Sequence, residues 1–269
     1  MGSRYNQEVA KFGKSDGILA LCVFLGYVLF SVAFVAIRGM FSVSWYLNTL
    51  VTVIVTSFQA GIIFLIILRK KQGLSSIGLQ KKELFHAVRL GFLCCLIPIL
   101  FVVVIPGVYG GLSEIQIGGL LVALVTTFFF AAHEDIIFVG FIQTRLYGLF
   151  KSDRISIPVG ALLFALMHIP PWLIMGRLDT SNLLMGIGAP FIGWVLMHFV
   201  FVSIFKKYYS LIPVIILHTI NNYSWNFTQT TTAFGIDLSL ILLIFYALLA
   251  CVMFFIVNKR SEKNITDPQ

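Results

Sequence analysis

IGGLLVALVTTFFFAAHEDIIFVGFIQTRLYGL, residues 117–149, is an unbroken apolar run with one acidic pair, Glu134-Asp135, near its middle. A bilayer hydrocarbon core about 30 Å thick needs about 20 apolar residues of helix to cross it. Lipid offers no partner to backbone N–H and C=O groups, so such a run must pair them within itself and is read as a transmembrane helix. Similar runs recur at about 17–37, 46–68, 87–109, 155–175, 183–205, 210–226 and 236–257. The expected fold is therefore all-α: a polytopic bundle of about eight transmembrane helices, with 1–269 as one integral membrane domain. Composition agrees. Apolar residues make up 59% of the chain and charged residues 11%, against about 45–50% and about 25% in soluble domains.

The net charge of +8 would suggest a nucleic-acid partner if it were clustered, and it is not. Lys and Arg gather in alternate flanking segments: Arg4, Lys11 and Lys14; Arg69, Lys70, Lys71, Lys81 and Lys82; Arg145, Lys151 and Arg154; Lys206 and Lys207; Lys259, Arg260 and Lys263. The opposite flanks hold only Arg38 and Arg177. This bias is a topology signal that puts both termini of a multi-pass cell-membrane protein in the cytoplasm, and it leaves no nucleic-acid footprint. The first residues show no cleavable signal pattern and no myristoylation pattern. Cys22, Cys94, Cys95 and Cys251 lie in apolar runs without metal or redox spacing and read as small core residues. KKELFHAVRLGF, near residues 81–92, reads as an interfacial turn before the third span. GVYGGLSEIQIGG reads as an outer loop. Pro170 and Pro171 are expected to end or kink the fifth span.

An ionisable side chain at the bilayer centre costs about 2.5–3.5 kcal/mol on insertion scales, so those within spans mark function. Glu134, Asp135, His133, His168, His198 and His218 all fall within the expected spans, and Asn221 and Asn222 follow His218. At 1.5 Å rise per residue, Glu134 lies about 22 Å from the cytoplasmic end of its span, His168 about 20 Å, His218 about 12 Å and Asn222 about 18 Å. His218 and Asn222 are four apart and share a helix face, as do Phe164 and His168. A carboxylate and imidazoles at one buried level suit general acid–base hydrolysis, with imidazole and amide donors for an oxyanion. No serine or cysteine sits in a nucleophile context, and the HExxH zinc signature is absent. His133 and His198 read as packing residues.

At these residues the chain resembles the CAAX prenyl protease and bacteriocin-processing family of intramembrane peptidases. That family's EExxxR motif reads here as Glu134-Asp135-Ile136-Ile137-Phe138-Val139; FxxxH is intact as Phe164 to His168, and HxxxN as His218 to Asn222. Ser210-Leu211-Ile212-Pro213 resembles the usual lead-in to the third motif. The resemblance places a catalytic core at about 117–226, by its motif positions. It implies that Glu134 and His168 activate water, that His218 and Asn222 hold the oxyanion, and that Asp135 and Phe164 support them. It also implies a cavity open to the cytoplasm and the lipid. Family members are often labelled metalloproteases. No cofactor is favoured here, although zinc is the alternative, held by Glu134, His168 and His218.

Two positions depart from the pattern: Asp135 stands for the second glutamate and Val139 for the arginine. They are four apart, so the family's pair can meet on one α-helical face, and the two changes read as one lost or rebuilt ion pair. The expected function is an intramembrane endopeptidase acting on a membrane-associated or peptide substrate, with the lipid bilayer and that substrate as partners. The alternative is a family member that has lost catalysis and serves as a binding, immunity or scaffold protein. A transporter would show repeats or matched broken helices, which the chain lacks. The sequence does not name the substrate.

Overall fold

The structure is a computed structural model that describes residues 4–41, 44–104, 117–178, 180–181 and 183–224, together with 108, 232–233, 236–237 and 247. Its helices are α1 (Arg4–Val9), α2 (Lys14–Gly39), α3 (Trp45–Arg69), α4 (Leu84–Ile99), α5 (Ile117–Asp135), α6 (Gln143–Phe150), α7 (Asp153–Ile174), α8 (Ala189–Tyr208) and α9 (Ile212–Ser224). Three segments among the described residues are π-helical: Leu100–Val104, Ile136–Ile142 and Leu183–Gly188. Among the described residues, five helical stretches are long and apolar enough to cross a membrane: Lys14–Gly39, Tyr46–Arg69, Gly119–Phe150, Asp153–Ile174 and Gly186–Tyr208. The chain is a multi-pass membrane protein. Of the other three expected spans, the third is helical from Leu84 to Val104 and the seventh is the shorter α9. Most of the eighth lies outside the described residues, as do the loop 109–116, Cys251 and the C-terminal Lys259, Arg260 and Lys263. At the expected start of the eighth span, Ile236–Asp237 pairs antiparallel with Thr232–Ala233.

Several hydroxyls inside the spans are satisfied by the carbonyl one turn back, which removes their cost in an apolar setting. Thr52 donates to Asn48 O at 2.8 Å, Thr126 to Val122 O at 2.7 Å and Ser203 to Phe199 O at 2.7 Å. Leu25, Leu29, Leu65 and Leu68 are exposed, as lipid-facing residues must be. Cys94 and Cys95 are buried as expected, but Cys22 is on the outer face of α2. A small side chain there has no neighbour to fill, so the core reading fails for it. The third span starts at Leu84, directly after a turn at Lys82 and Glu83 that Leu84 N–H closes on Lys81 O at 3.3 Å. Pro170 and Pro171 do not end α7, which runs on to Ile174 and closes with Met175 N–H on Pro171 O at 3.0 Å. The two prolines remove two amide donors, and only one more turn follows them.

The chain divides into two compact units: residues 1–42, 138–209 and 243–269, and residues 43–137 and 210–242. In the first unit α2 packs on α6 and α7, α7 on α8, and α1 on α6 and α8. Close approach is built in at Gly148, where a Cβ would stand 2.4 Å from Gly13 O. The N-terminal segment is held there by Lys151 Nζ donating to Phe12 O at 2.6 Å. Arg145, expected among the flanking charges, is instead buried. Its guanidinium lies 4.3 Å from the Phe12 ring centre and 4.3 Å from that of Phe141, and it donates to Thr144 Oγ1 at 2.9 Å. Two aromatic faces attract the cation where water is excluded. In the second unit α9 packs on α4 and α5, and α3 on α5. Gly91 on α4 lets α9 in, since a Cβ would meet Ile216 Cβ and Pro213 Cα at 3.0 Å; small residues are the usual means of close helix approach in membranes.

Candidate active site

In the second unit, α5 ends at the acidic pair and α9 carries the third motif. Glu134, Asp135 and His218 are all buried. His218 Nδ1 is 3.1 Å from Asp135 Oδ1, and His218 Nε2 is 3.7 Å from Glu134 Oε2. A carboxylate can only accept, so Nδ1 carries the proton toward Asp135 and the ring turns Nε2 to Glu134. These separations are shorter than the roughly 4–7 Å at which a carboxylate and an imidazole share one water. The second carboxylate draws the ring in, and no sequence spacing could show that. Asp135 Oδ2 is buried without a hydrogen-bond partner among the described residues.

Asn222 lies on α9, one turn beyond His218, and is partly exposed. Its Oδ1 accepts from Asn221 Nδ2 at 3.3 Å, so its own amide nitrogen is the group left to donate. His133, buried on α5, has Nδ1 3.3 Å from Phe129 O, a local helix bond that fits the packing reading.

The second motif lies in the first unit. His168 Nδ1 donates to Phe164 O at 2.8 Å, one turn back, which places the lone pair on Nε2. The FxxxH spacing is thus a backbone anchor: four residues bring the imidazole over that carbonyl. The ring is further held by Trp194, stacked at 4.5 Å and 11°, and by the edge of Phe164 at 5.0 Å. Trp172 stands against Trp194 at 4.9 Å and 82°. Aromatic contacts of this kind are worth about 0.5–1.5 kcal/mol each beyond area burial. Trp194 went unrecognised in the sequence, where its one signal was its spacing of four from His198. His198 packs as expected, tilted on Phe164 at 5.1 Å, and also meets Gln143 Oε1 at 3.1 Å. Gln143 was missed as well, although a fully buried amide in an apolar span marks itself.

The altered first motif is resolved in part. Ile136–Ile142 is π-helical, with hydrogen bonds five residues apart, so the four-residue spacing of Asp135 and Val139 no longer stacks as in an α-helix. The expected ion pair has been replaced: Val139 is buried and apolar, and the observed partner of Asp135 is His218. The same π segment advances less per residue than an α-helix, so the depth of about 22 Å for Glu134, reckoned at 1.5 Å per residue, is an upper bound. Among the described residues, no group of three or more His, Cys, Asp or Glu side chains is arranged to hold a metal ion.

Residues 116–224 match the family model described as type II CAAX prenyl endopeptidase, Rce1-like. That match covers less than half of the chain, and over it the chain is similar to the CAAX prenyl protease and bacteriocin-processing family. The Rce1-like segment contains all three motifs, the Glu134–His218–Asp135 cluster and the His168 seat. It points to CAAX-type endopeptidase activity. No curated protein and no solved structure matches the chain.

Proposed function

We propose that the protein is an intramembrane endopeptidase that cleaves a peptide bond by water activated through Glu134 and His168. Glu134 takes a proton from water as the oxygen adds to the scissile carbonyl carbon. His218 Nε2–H, when both ring nitrogens carry protons, and the Asn222 amide donate to the oxyanion. Collapse of the adduct breaks the C–N bond as the proton passes to the leaving amine. Asp135 holds the His218 ring. The observation that carries this reading is a buried carboxylate facing Nε2 of an imidazole whose Nδ1 is fixed by a second carboxylate, inside the matched segment. A prenylated CAAX tail, a peptide pheromone, a bacteriocin precursor and a membrane-protein tail all suit a site within the bilayer. The test is incubation of the purified protein with these four peptide classes and mass analysis of the fragments. One new amine terminus per cleavage is expected; no cleavage of any class would favour the second reading, a binding or scaffold protein, for which the loss of the motif arginine at Val139 is the evidence.

The same reading runs without metal. Chelation is expected to leave turnover unchanged, and metal analysis to find no stoichiometric zinc. Activity lost on chelation and restored by zinc would reverse that choice.

Orientation follows from the Lys/Arg bias. With Cys22, Cys94, Cys95 and Cys251 replaced, single cysteines at Ser75 and Ser152 are expected to resist an impermeant thiol reagent in intact cells and to react after permeabilisation. Labelling of either in intact cells would invert the topology.

A further inference from the structure

The acidic pair runs directly into the π segment Ile136–Ile142. A π turn is rarer than an α turn, and within a span it persists where side chains satisfy the backbone groups it frees. Two such side chains come from the next turn. Thr144 Oγ1 donates to Gly140 O at 2.6 Å and lies 3.1 Å from Phe141 O. Arg145 Nη1 donates to the same Gly140 O at 3.3 Å and to Thr144 Oγ1 at 2.9 Å. The N-terminal segment closes over this guanidinium. The Phe12 ring centre is 4.3 Å from it, and Asp16 acts on its charge. That segment is itself seated on α6. Lys151 Nζ donates to Phe12 O at 2.6 Å. At Gly17 a Cβ would stand 2.6 Å from Leu149 Cβ and 3.1 Å from Arg145 O, so only glycine allows the approach. Asp16 Oδ2 accepts from Gly13 N–H at 3.0 Å, which fixes the turn between Phe12 and α2.

A guanidinium withdrawn from water costs free energy that an exposed flank residue avoids, so its burial marks a task. We propose that Arg145, covered by Phe12 and countered by Asp16, clamps the π segment, and that the clamp sets how Glu134 and Asp135 face. Val139 has no guanidinium to offer at the motif position. The one six residues on binds the carbonyl of the neighbouring Gly140. A slip of one residue in helical register turns the chain by about 100°, enough to take a carboxylate off a catalytic face. Arg145 and Phe12 are therefore positioning residues, and the N-terminal segment is part of what positions the acidic pair. The effect on turnover rests on the endopeptidase reading; the clamp itself does not.

Phe12→Leu tests the clamp from its far end, because it keeps the apolar volume and takes the ring away from the guanidinium. Glycine labelled with carbon-13 at the carbonyl and phenylalanine labelled with nitrogen-15 mark two peptide bonds in this sequence, Gly91–Phe92 and Gly140–Phe141. Phe92 is exposed, so Phe92→Leu assigns the first signal by removing it. In the full-length protein in detergent, Arg145→Met and Phe12→Leu are both expected to move the Gly140 carbonyl signal and to leave that of Gly91 in place. A Gly140 signal that stays put in Phe12→Leu would overturn the hold of the N-terminal segment, and one that moves in neither variant would overturn the clamp. For turnover, Phe12→Leu is expected to cut kcat several-fold with KM unchanged, and Phe12→Trp, which returns a ring, to recover most of that loss. Equal kcat in Phe12→Leu and the parent would overturn the positioning role. If Arg145→Met does not fold, the two Phe12 variants still decide. A parent that cleaves nothing would count against the endopeptidase reading alone, while the carbonyl signal would still decide the clamp.

Discussion

Glutamine at position 134 is expected to lower turnover by about 10²–10⁴-fold, the usual worth of a general base. The change is isosteric and removes only the capacity to take a proton. Glu134 Oε2 stands 3.7 Å from His218 Nε2, beyond hydrogen-bond reach, so little folded-state bonding is lost with the charge. Folded yield and melting midpoint should stay close to those of the parent while initial rates collapse. Asp135→Asn is the companion measurement. Its Oδ1 can still accept from His218 Nδ1, which keeps the ring oriented, so a smaller loss of rate is expected than for Glu134→Gln. If Glu134→Gln turns over like the parent, the carboxylate that activates water is not Glu134, and the mechanism proposed above fails.

The second large effect is on stability. His218→Ala would leave Glu134 and Asp135 next to each other in sequence, both buried, with no imidazole between them. Breaking a buried pair by removing one partner typically costs about 3–5 kcal/mol, because the remaining charge keeps its desolvation penalty. That is a large share of a marginal total stability of about 5–15 kcal/mol. His218→Ala should therefore fold poorly, with both midpoint and yield reduced. Adding Asp135→Leu removes the stranded carboxylate and should restore much of the loss, since apolar replacement of a whole buried pair is often neutral or better. The coupling between the two changes, read from melting midpoints in a double-mutant cycle, should exceed the typical range of about 0.5–3 kcal/mol for contacting residues or reach its upper end. Additive effects would show that the 3.1 Å contact carries no energy, and the role of Asp135 in holding His218 would fall with it.

The membrane-helical character of the chain, the three motif helices and the identity of Glu134, His168, His218 and Asn222 as candidates were legible in the sequence. The reason is energetic. Lipid forces backbone pairing within each segment, so apolar runs declare helices, and it penalises charge, so polar residues inside those runs stand out against their surroundings. FxxxH was legible for a further reason, because its bond from His168 to Phe164 O is local and obeys helix spacing. What the sequence could not decide lies where spacing misleads or where partners come from distant parts of the chain. The π-helix at Ile136–Ile142 alters the facing of residues just after Asp135, and helix type there depends on packing and not on composition. The exchange of an expected arginine pair for His218 joins residues 83 apart in sequence. Trp194 over His168 and Gln143 against His198 join different helices, and Arg145 finds Phe12 across a turn of chain that reads as a solvated flank. Periodicity reports which face of a helix is apolar. Which residue meets which across two helices is set by side-chain packing, and only the tertiary structure contains that.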